Sequence, residues 1–312
     1  MGGRMVDGQW VTKDQWEASK TGEFKRQESA FRSTTVHPEP GRYHLYVSYA
    51  CPWAHRTLIS RALLGLEAVM SYSTVHPVML DDGWVFEPDD ARFPTEDPLH
   101  GEPFLRNLYL RADARFTGRI TVPMLWDTQT DTLVNNESAD IIRMMATDFA
   151  PLGTTGRDLY PEALRAQIDD AMARFYQPIN NGVYRCGFAQ TETAYRSAHD
   201  ELFAALDEWD AALTDRAFIC GDAPTIADIA LYTTLVRFDP VYYVHFKTSK
   251  KHVYEYPNLW AFVRRVHALP GVAETLRLDH ITTHYFASHR QLNPRGFVPD
   301  GPDMDALLRQ PV

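Results

Sequence analysis

The alternation of apolar and polar positions divides the chain into two halves with different rhythms. Tyr43 to Tyr49 (YHLYVSY) is a run of aromatic and β-branched residues with the composition of a strand. After Cys51, Pro52 to Ile59 (PWAHRTLI) reads as the start of a helix that ends near Gly65. Proline suits a first helical turn, where its missing N–H would have had no partner. Val69 to His76 alternates like a second strand. Residues 77–117 are rich in Asp, Pro and Gly with little periodicity, so a long loop of the functional or mobile kind is expected there. Thr121 to Asp127 (TVPMLWD) is a third strand, and its proline calls for a strand start, an edge or a cis bond. Thr132 to Asn136 pairs with it as a hairpin, and Glu137-Ser138 opens a helix over Ala139 to Ala146. The first half therefore reads β-α-β, loop, β-β-α.

From Arg157 onward the rhythm becomes helical. Leu164 to Tyr176, Ala194 to Leu213, Ile226 to Arg237 and Leu259 to Leu269 each space their apolar residues by three and four. Thr225 and Asp228 form a capping box at the start of the third of these, with Asp in place of the usual Glu. The expected organisation is an arm over 1–42, an α/β domain over 43–150, an all-helical domain over 157–290 and an extended tail over 291–312 with prolines at 294, 299, 302 and 311.

Composition narrows the function classes. The 312 residues are 45% hydrophobic and 23% charged, enough for two domains with separate cores. A formal net charge of −10 argues against a general nucleic-acid binder, which carries a basic face. No run of about 18 apolar residues is present, so no membrane span is expected. The opening MGGRMVDGQWVTKDQW has no apolar core of signal-peptide type, and the three cysteines (Cys51, Cys186, Cys220) contain no C-x-x-C pair. A reducing, cytoplasmic setting is expected. Asn136-Glu137-Ser138 fits a glycosylation pattern that this setting sets aside.

Several residues carry candidate chemistry. Cys51, at a strand-to-helix turn, meets the helix dipole and unpaired N–H groups, which favour a thiolate; a small buried hydrophobe is the alternative reading. Trp84, in an acidic loop with Gly83 and Phe86, either walls a ligand site or pins the loop to the core. The helix start at Glu137-Ser138 offers N–H groups to a carboxylate. His280 and His284 have i, i+4 spacing and His289 follows, but no carboxylate or cysteine completes a metal pattern, so no metal is expected. Cys186 lies close to Tyr184, whereas Cys220 precedes the capped helix and reads as structural.

The order of elements, with a cysteine at the first helix and a proline before the third strand, looks like a thioredoxin-type domain. Joined to a helical half, it resembles a glutathione transferase. Closer motifs are Ser48 to Arg56 (SYACPWAHR), Gly83 to Phe86 (GWVF), Thr121 to Asp127, Val134 to Ser138 (VNNES), Asn180 to Tyr184 (NNGVY), Phe238 to Tyr242 (FDPVY) and His284-Tyr285. Together, over residues 25–290, they resemble the glutathionyl-hydroquinone reductases, the Xi class of glutathione transferases. That resemblance implies Cys51 as nucleophile, and Trp84, Arg119, the backbone of Val122, Glu137 and Ser138 as the glutathione contacts. It implies Tyr184, Tyr242 and Tyr285 as the residues facing the aromatic substrate. Each role is physically reasonable. An extended thiol peptide pairs with the strand at Val122, Arg119 offers a guanidinium to a glycyl carboxylate, and Ser138 with its helix N-terminus takes the γ-glutamyl carboxylate while Glu137 takes the ammonium.

The implied reaction uses one thiol and no resolving cysteine: Cys51 takes the glutathionyl group from an S-glutathionyl hydroquinone, and external glutathione removes it. Two alternatives stand beside it. One is a conjugating or thioltransferase-type enzyme, the other a non-catalytic ligand-binding module on the same fold. Glutathione is expected as co-substrate, with no metal, no nucleic acid and no membrane, in a homodimer formed through the helical half.

Overall fold

A computed structural model describes residues 2–12 and 21–310. The chain forms two compact units, one from the described parts of 1–16, 27–157 and 275–298, the other from those of 17–26, 158–274 and 299–312.

The first unit is built on a four-stranded sheet of β3 (Tyr43–Val47), β4 (Met70–Thr74), β5 (Met124–Asp127) and β6 (Thr132–Asn135), in the order β4-β3-β5-β6. A separate hairpin of β1 (Arg4–Val6) and β2 (Gln9–Val11) precedes it, turning at Asp7-Gly8, where both φ values are positive (47° and 76°); Asp-Gly is the pair such a turn prefers. β3 runs parallel to β4 and antiparallel to β5, and every one of its residues is buried. That explains a continuous apolar run where a half-exposed strand would alternate. Between β3 and β4 runs α1 (Pro52–Leu64), closed by Gly65 at φ 68°, whose N–H donates to the Ala62 carbonyl. α3 (Ser138–Thr147) packs against α1. The Val122–Pro123 bond is cis and sits just before β5, so the proline both starts the strand and bends the chain into it.

Three expectations change. Residues 77–117 contain a helix, α2 (Leu105–Ala112). Its N-cap is Phe104, with no side-chain cap, so no start signal announces it, yet Leu105, Leu108 and Tyr109 have core spacing and are buried. The tail is not wholly extended, because α11 (Met304–Leu308) is capped by Asp303, whose Oδ1 accepts the Ala306 N–H at 2.9 Å. Residues 275–298, which include α10 (Leu278–Ser288), cluster with the sheet unit.

The second unit holds α4 (Arg165–Phe175), α5 (Gly182–Gly187), α6 (Glu192–Ala212), α7 (Ile226–Arg237), α8 (Tyr243–His245), α9 (Pro257–His267) and α11. The Thr225/Asp228 capping box is present at the start of α7, which is buried along its whole length. Two π-helical turns interrupt the helices, Tyr176–Asn180 (YQPIN) and Phe238–Tyr242 (FDPVY). Each contains a proline, which cannot supply the ordinary helical N–H, and the wider turn closes instead through Asn181 N–H to the Tyr176 carbonyl at 2.7 Å in the first case.

His44 and His280 give the sheet unit a pH dependence. His44 is buried with its ring nitrogens 2.8 and 2.9 Å from Ser71 and Ser73 hydroxyls, and burial pushes it down to about 4. Burial also brings His280 to about 4. Between the unfolded value near 6.5 and about 4, the unfolded chain binds more protons than the fold. Stability contributed by the two neutral rings is therefore present above pH 6.5 and lost as pH falls to about 4. Urea midpoints should fall steeply across that window, and a flat profile between pH 7 and 4.5 would contradict it.

Candidate active site

Cys51 is the N-cap of α1 (φ −76°, ψ 120°), with Pro52 in the first turn behind it. Its N–H donates to the Ser48 carbonyl at 3.1 Å and its carbonyl accepts the His55 N–H at 2.9 Å, so the turn and the first helical turn hold the residue from both sides. The side chain is half-buried, and Sγ is 3.5 Å from the Val122 carbonyl oxygen, on the residue that precedes the cis proline. The thiol thus meets the backbone of the buried residue that leads into β5.

Behind this point a polar network fixes the 121–123 backbone. The Tyr109 hydroxyl of α2 donates to the Thr121 carbonyl at 2.8 Å and accepts from Asn136 Nδ2 at 3.0 Å. Asn136 Oδ1 accepts the Phe31 N–H at 3.1 Å, and the side chain is buried. Sequence reading missed Tyr109 because it missed α2, although the i, i+4 spacing from Leu105 was there to find.

Glu137 is the N-cap of α3, its carboxylate accepting the Ala139 N–H at 3.2 Å and the Ser29 hydroxyl at 2.9 Å. Ser29 lies a hundred positions away and nothing in its neighbourhood announced the contact. Ser138 is buried, and Arg56 of α1 reaches its Oγ at 3.5 Å while lying 4.5 Å over the Trp53 ring. The cysteine helix and the start of α3 are therefore joined directly. Arg119 is half-buried and follows Gly118, whose backbone exchanges two hydrogen bonds with Met5 of β1, at 2.9 and 3.0 Å.

Trp84 is buried and stacks on His284 of α10, centroids 5.0 Å apart and planes 17° from parallel. Tyr285, the next residue, meets the His284 ring edge-on at 5.2 Å. It belongs to the sheet unit, with Cys51, and not with the other two tyrosines. Tyr184 and Tyr242 lie together in the helical unit, 6.0 Å apart, with Phe246 parallel to Tyr242 at 5.3 Å and Arg26 4.7 Å over the face of Tyr184. One π turn, Tyr176–Asn180, leads into α5, which carries Tyr184, and the other ends at Tyr242, so a widened helical turn precedes or includes each ring.

None of the three cysteines is in a disulfide. Burial pushes the Cys186 thiol up to about 12 and the Cys220 thiol up to about 11, so both stay protonated near neutral pH. Iodoacetamide at pH 7.5 is expected to alkylate Cys51 in the native protein and to reach Cys186 and Cys220 only after denaturation. Peptide mapping measures this, and comparable native labelling of Cys186 would refute it. Among the described residues no group of His, Cys, Asp and Glu is arranged to hold a metal, and His284 Nδ1 is instead bonded to the Pro77 carbonyl at 2.7 Å. No described helix is long and apolar enough to cross a membrane.

Known proteins share this architecture. The family model for the glutathione S-transferase N-terminal domain matches residues 50–148, and that for the C-terminal domain matches residues 189–265. The chain is 47% identical to glutathionyl-hydroquinone reductase YqjG of Escherichia coli (strain K12), over 97% of this chain and 96% of that one. It is 45% identical to glutathionyl-hydroquinone reductase PcpF of Sphingobium chlorophenolicum, over 96% of each. Among solved structures, a Xi-class glutathione transferase from Natrialba magadii superposes with a TM-score of 0.90 at 44% identity, over 99% of this chain and 96% of that one. The glutathione-bound structure of YqjG superposes at 0.86 with 45% identity, over 97% of each chain.

Proposed function

The chain belongs to the glutathionyl-hydroquinone reductases, the Xi class of glutathione transferases, and we propose that it removes glutathione from S-glutathionyl hydroquinones through Cys51. It is a glutathione-dependent enzyme of that family. The observation that carries the residue assignment is the juxtaposition of Cys51 Sγ with the Val122 carbonyl at a helix N-terminus, while the other two thiols are buried and held protonated.

The chemistry runs in two displacements. The Cys51 thiolate attacks the glutathionyl sulfur of the substrate, forming a protein–glutathione disulfide. The carbon–sulfur bond breaks with its electron pair going to the aromatic carbon, which takes up a proton and leaves as hydroquinone. A glutathione thiolate then attacks the mixed disulfide, forming glutathione disulfide and regenerating Cys51. Across the two steps, one glutathione thiol and the thioether sulfur are oxidised to the disulfide, and the aryl carbon is reduced from C–S to C–H. Trp84, Arg119, the Val122 backbone, Glu137 and Ser138 hold the glutathionyl group in this reading, and Tyr184, Tyr242 and Tyr285 serve the aromatic ring, one of them as proton donor. A conjugating transferase needs instead a hydroxyl where Cys51 stands, to stabilise glutathione's own thiolate.

Mixing the protein with a glutathionyl hydroquinone, quenching in acid and weighing the intact protein tests the reading. The expected product is one glutathione-sized adduct on Cys51 that disappears with excess glutathione; turnover without that adduct under any quench would overturn it. We extend the proposal to a homodimer formed through the helical unit, checked by sedimentation velocity, and to a cytoplasmic location, checked by fractionation.

A further inference from the structure

We infer that His284 is a positioning residue for Trp84, and through it for the glutathionyl group; this rests on the reading of Trp84 as a glutathione contact. Its i, i+4 relation to His280 suggested a metal ligand at most, and the geometry gives it another task. His284 is buried, and its Nδ1 lies 2.7 Å from the Pro77 carbonyl. A carbonyl only accepts, so Nδ1 carries the hydrogen and the ring plane is fixed. A second bond, from the Met79 N–H to the Ser288 hydroxyl at 2.9 Å, ties the same loop to the next turn of α10. The imidazole therefore offers a flat, immobile face at the base of the segment that carries Trp84.

Trp84 uses that face. The rings are close to parallel at 5.0 Å, an arrangement that adds to plain burial when both planes are held. The hydrogen bonds at Trp84 act on its backbone. Gly83, at φ 73°, completes a turn from Leu80 (N–H to carbonyl, 3.0 Å), and the Trp84 carbonyl accepts the Leu105 N–H at 3.0 Å. These bonds set where the α-carbon is, and within the buried surroundings of the indole the stack on His284 is the ring contact that holds its plane. A binding wall that is fixed before the ligand arrives loses less conformational freedom on binding.

Equilibrium glutathione affinity, measured calorimetrically in a Cys51→Ser background so that no mixed disulfide forms, tests this. His284→Gln keeps a donor for Pro77 but removes the ring, and is expected to weaken glutathione about tenfold. His284→Phe keeps a ring but loses the donor that fixes its plane, and should weaken glutathione less than His284→Gln does; a loss as large as that of His284→Gln would place the effect outside the stack and overturn the inference. Trp84→Ala should weaken binding by at least as much as His284→Gln, and adding His284→Gln to Trp84→Ala should change nothing further, because the two act as one unit. Parent-like affinity in His284→Gln, or equal additional loss in the Trp84→Ala background, overturns the inference and leaves the Trp84 assignment standing. Parent-like affinity in Trp84→Ala overturns that assignment and the inference with it.

Discussion

Cys51→Ser is expected to lower steady-state turnover of an S-glutathionyl hydroquinone by at least ~1,000-fold while glutathione affinity changes by less than about threefold. A serine hydroxyl ionises far above neutral pH, so it attacks sulfur only with a base beside it. The imidazole nearest in sequence, His55, is buried on α1 with Nε2 2.8 Å from the Thr275 hydroxyl, a contact that braces the helix. The other thiols cannot substitute, since burial holds both protonated. Affinity should survive because the proposed glutathione contacts Trp84, Arg119, Glu137 and Ser138 are untouched and the new hydroxyl is smaller than the thiol. The split matters: a pure misfolding effect would take binding down together with turnover. A Cys51→Ser protein that retains a tenth of the parent kcat would eliminate Cys51 as the nucleophile.

The same residue marks how far the sequence could be read. The strand before Cys51, the helix after it and the stop at Gly65 were all legible because each is encoded locally, by a β-branched aromatic run, a first-turn proline and a left-handed glycine. The bend before β5 was legible for the same reason: Pro123 restricts its own backbone. What stayed hidden was long-range or shifted in register. α2 has no capping side chain and is only eight residues long, so its apolar spacing did not stand out from an acidic loop. The π turns break the 3.6-residue period, which is the very signal used to find helices. Periodicity also says which face of a helix is buried but not against which core, and so Tyr285 was expected with the helical domain although α10 clusters with the sheet. The Ser29–Glu137 and His284–Trp84 contacts belong to the same class. Neither partner carries a local pattern that points to the other.

Asp228→Ala should be the most destabilising single change at any residue discussed outside the catalytic centre. One oxygen of the buried Asp228 carboxylate accepts the Thr225 N–H and hydroxyl at 2.7 and 2.8 Å, and the other accepts the Ile219 N–H at 2.7 Å. Removing it leaves three donors without an acceptor in a place water does not reach, which costs far more than one exposed hydrogen bond. The Thr225 N–H bond among them is Asp228's half of the α7 capping box, while the N-cap Thr225 itself remains. The cost is about 3 kcal/mol, a fall in melting temperature of about 6–12 °C at the roughly 2–4 °C per kcal/mol of a domain of 150–250 residues. Asparagine should recover little, since its amide presents N–H groups to the backbone donors that the carboxylate satisfied. α7 runs from this cap into the π turn that ends at Tyr242, so its start fixes the register of a ring assigned to the aromatic substrate. At a temperature where Asp228→Ala remains folded, its KM for the glutathionyl hydroquinone should rise while Cys51 alkylates at the parent rate. A melting temperature within about 2 °C of the parent would mean that the buried carboxylate is replaceable, and that the helix is held by its apolar faces alone.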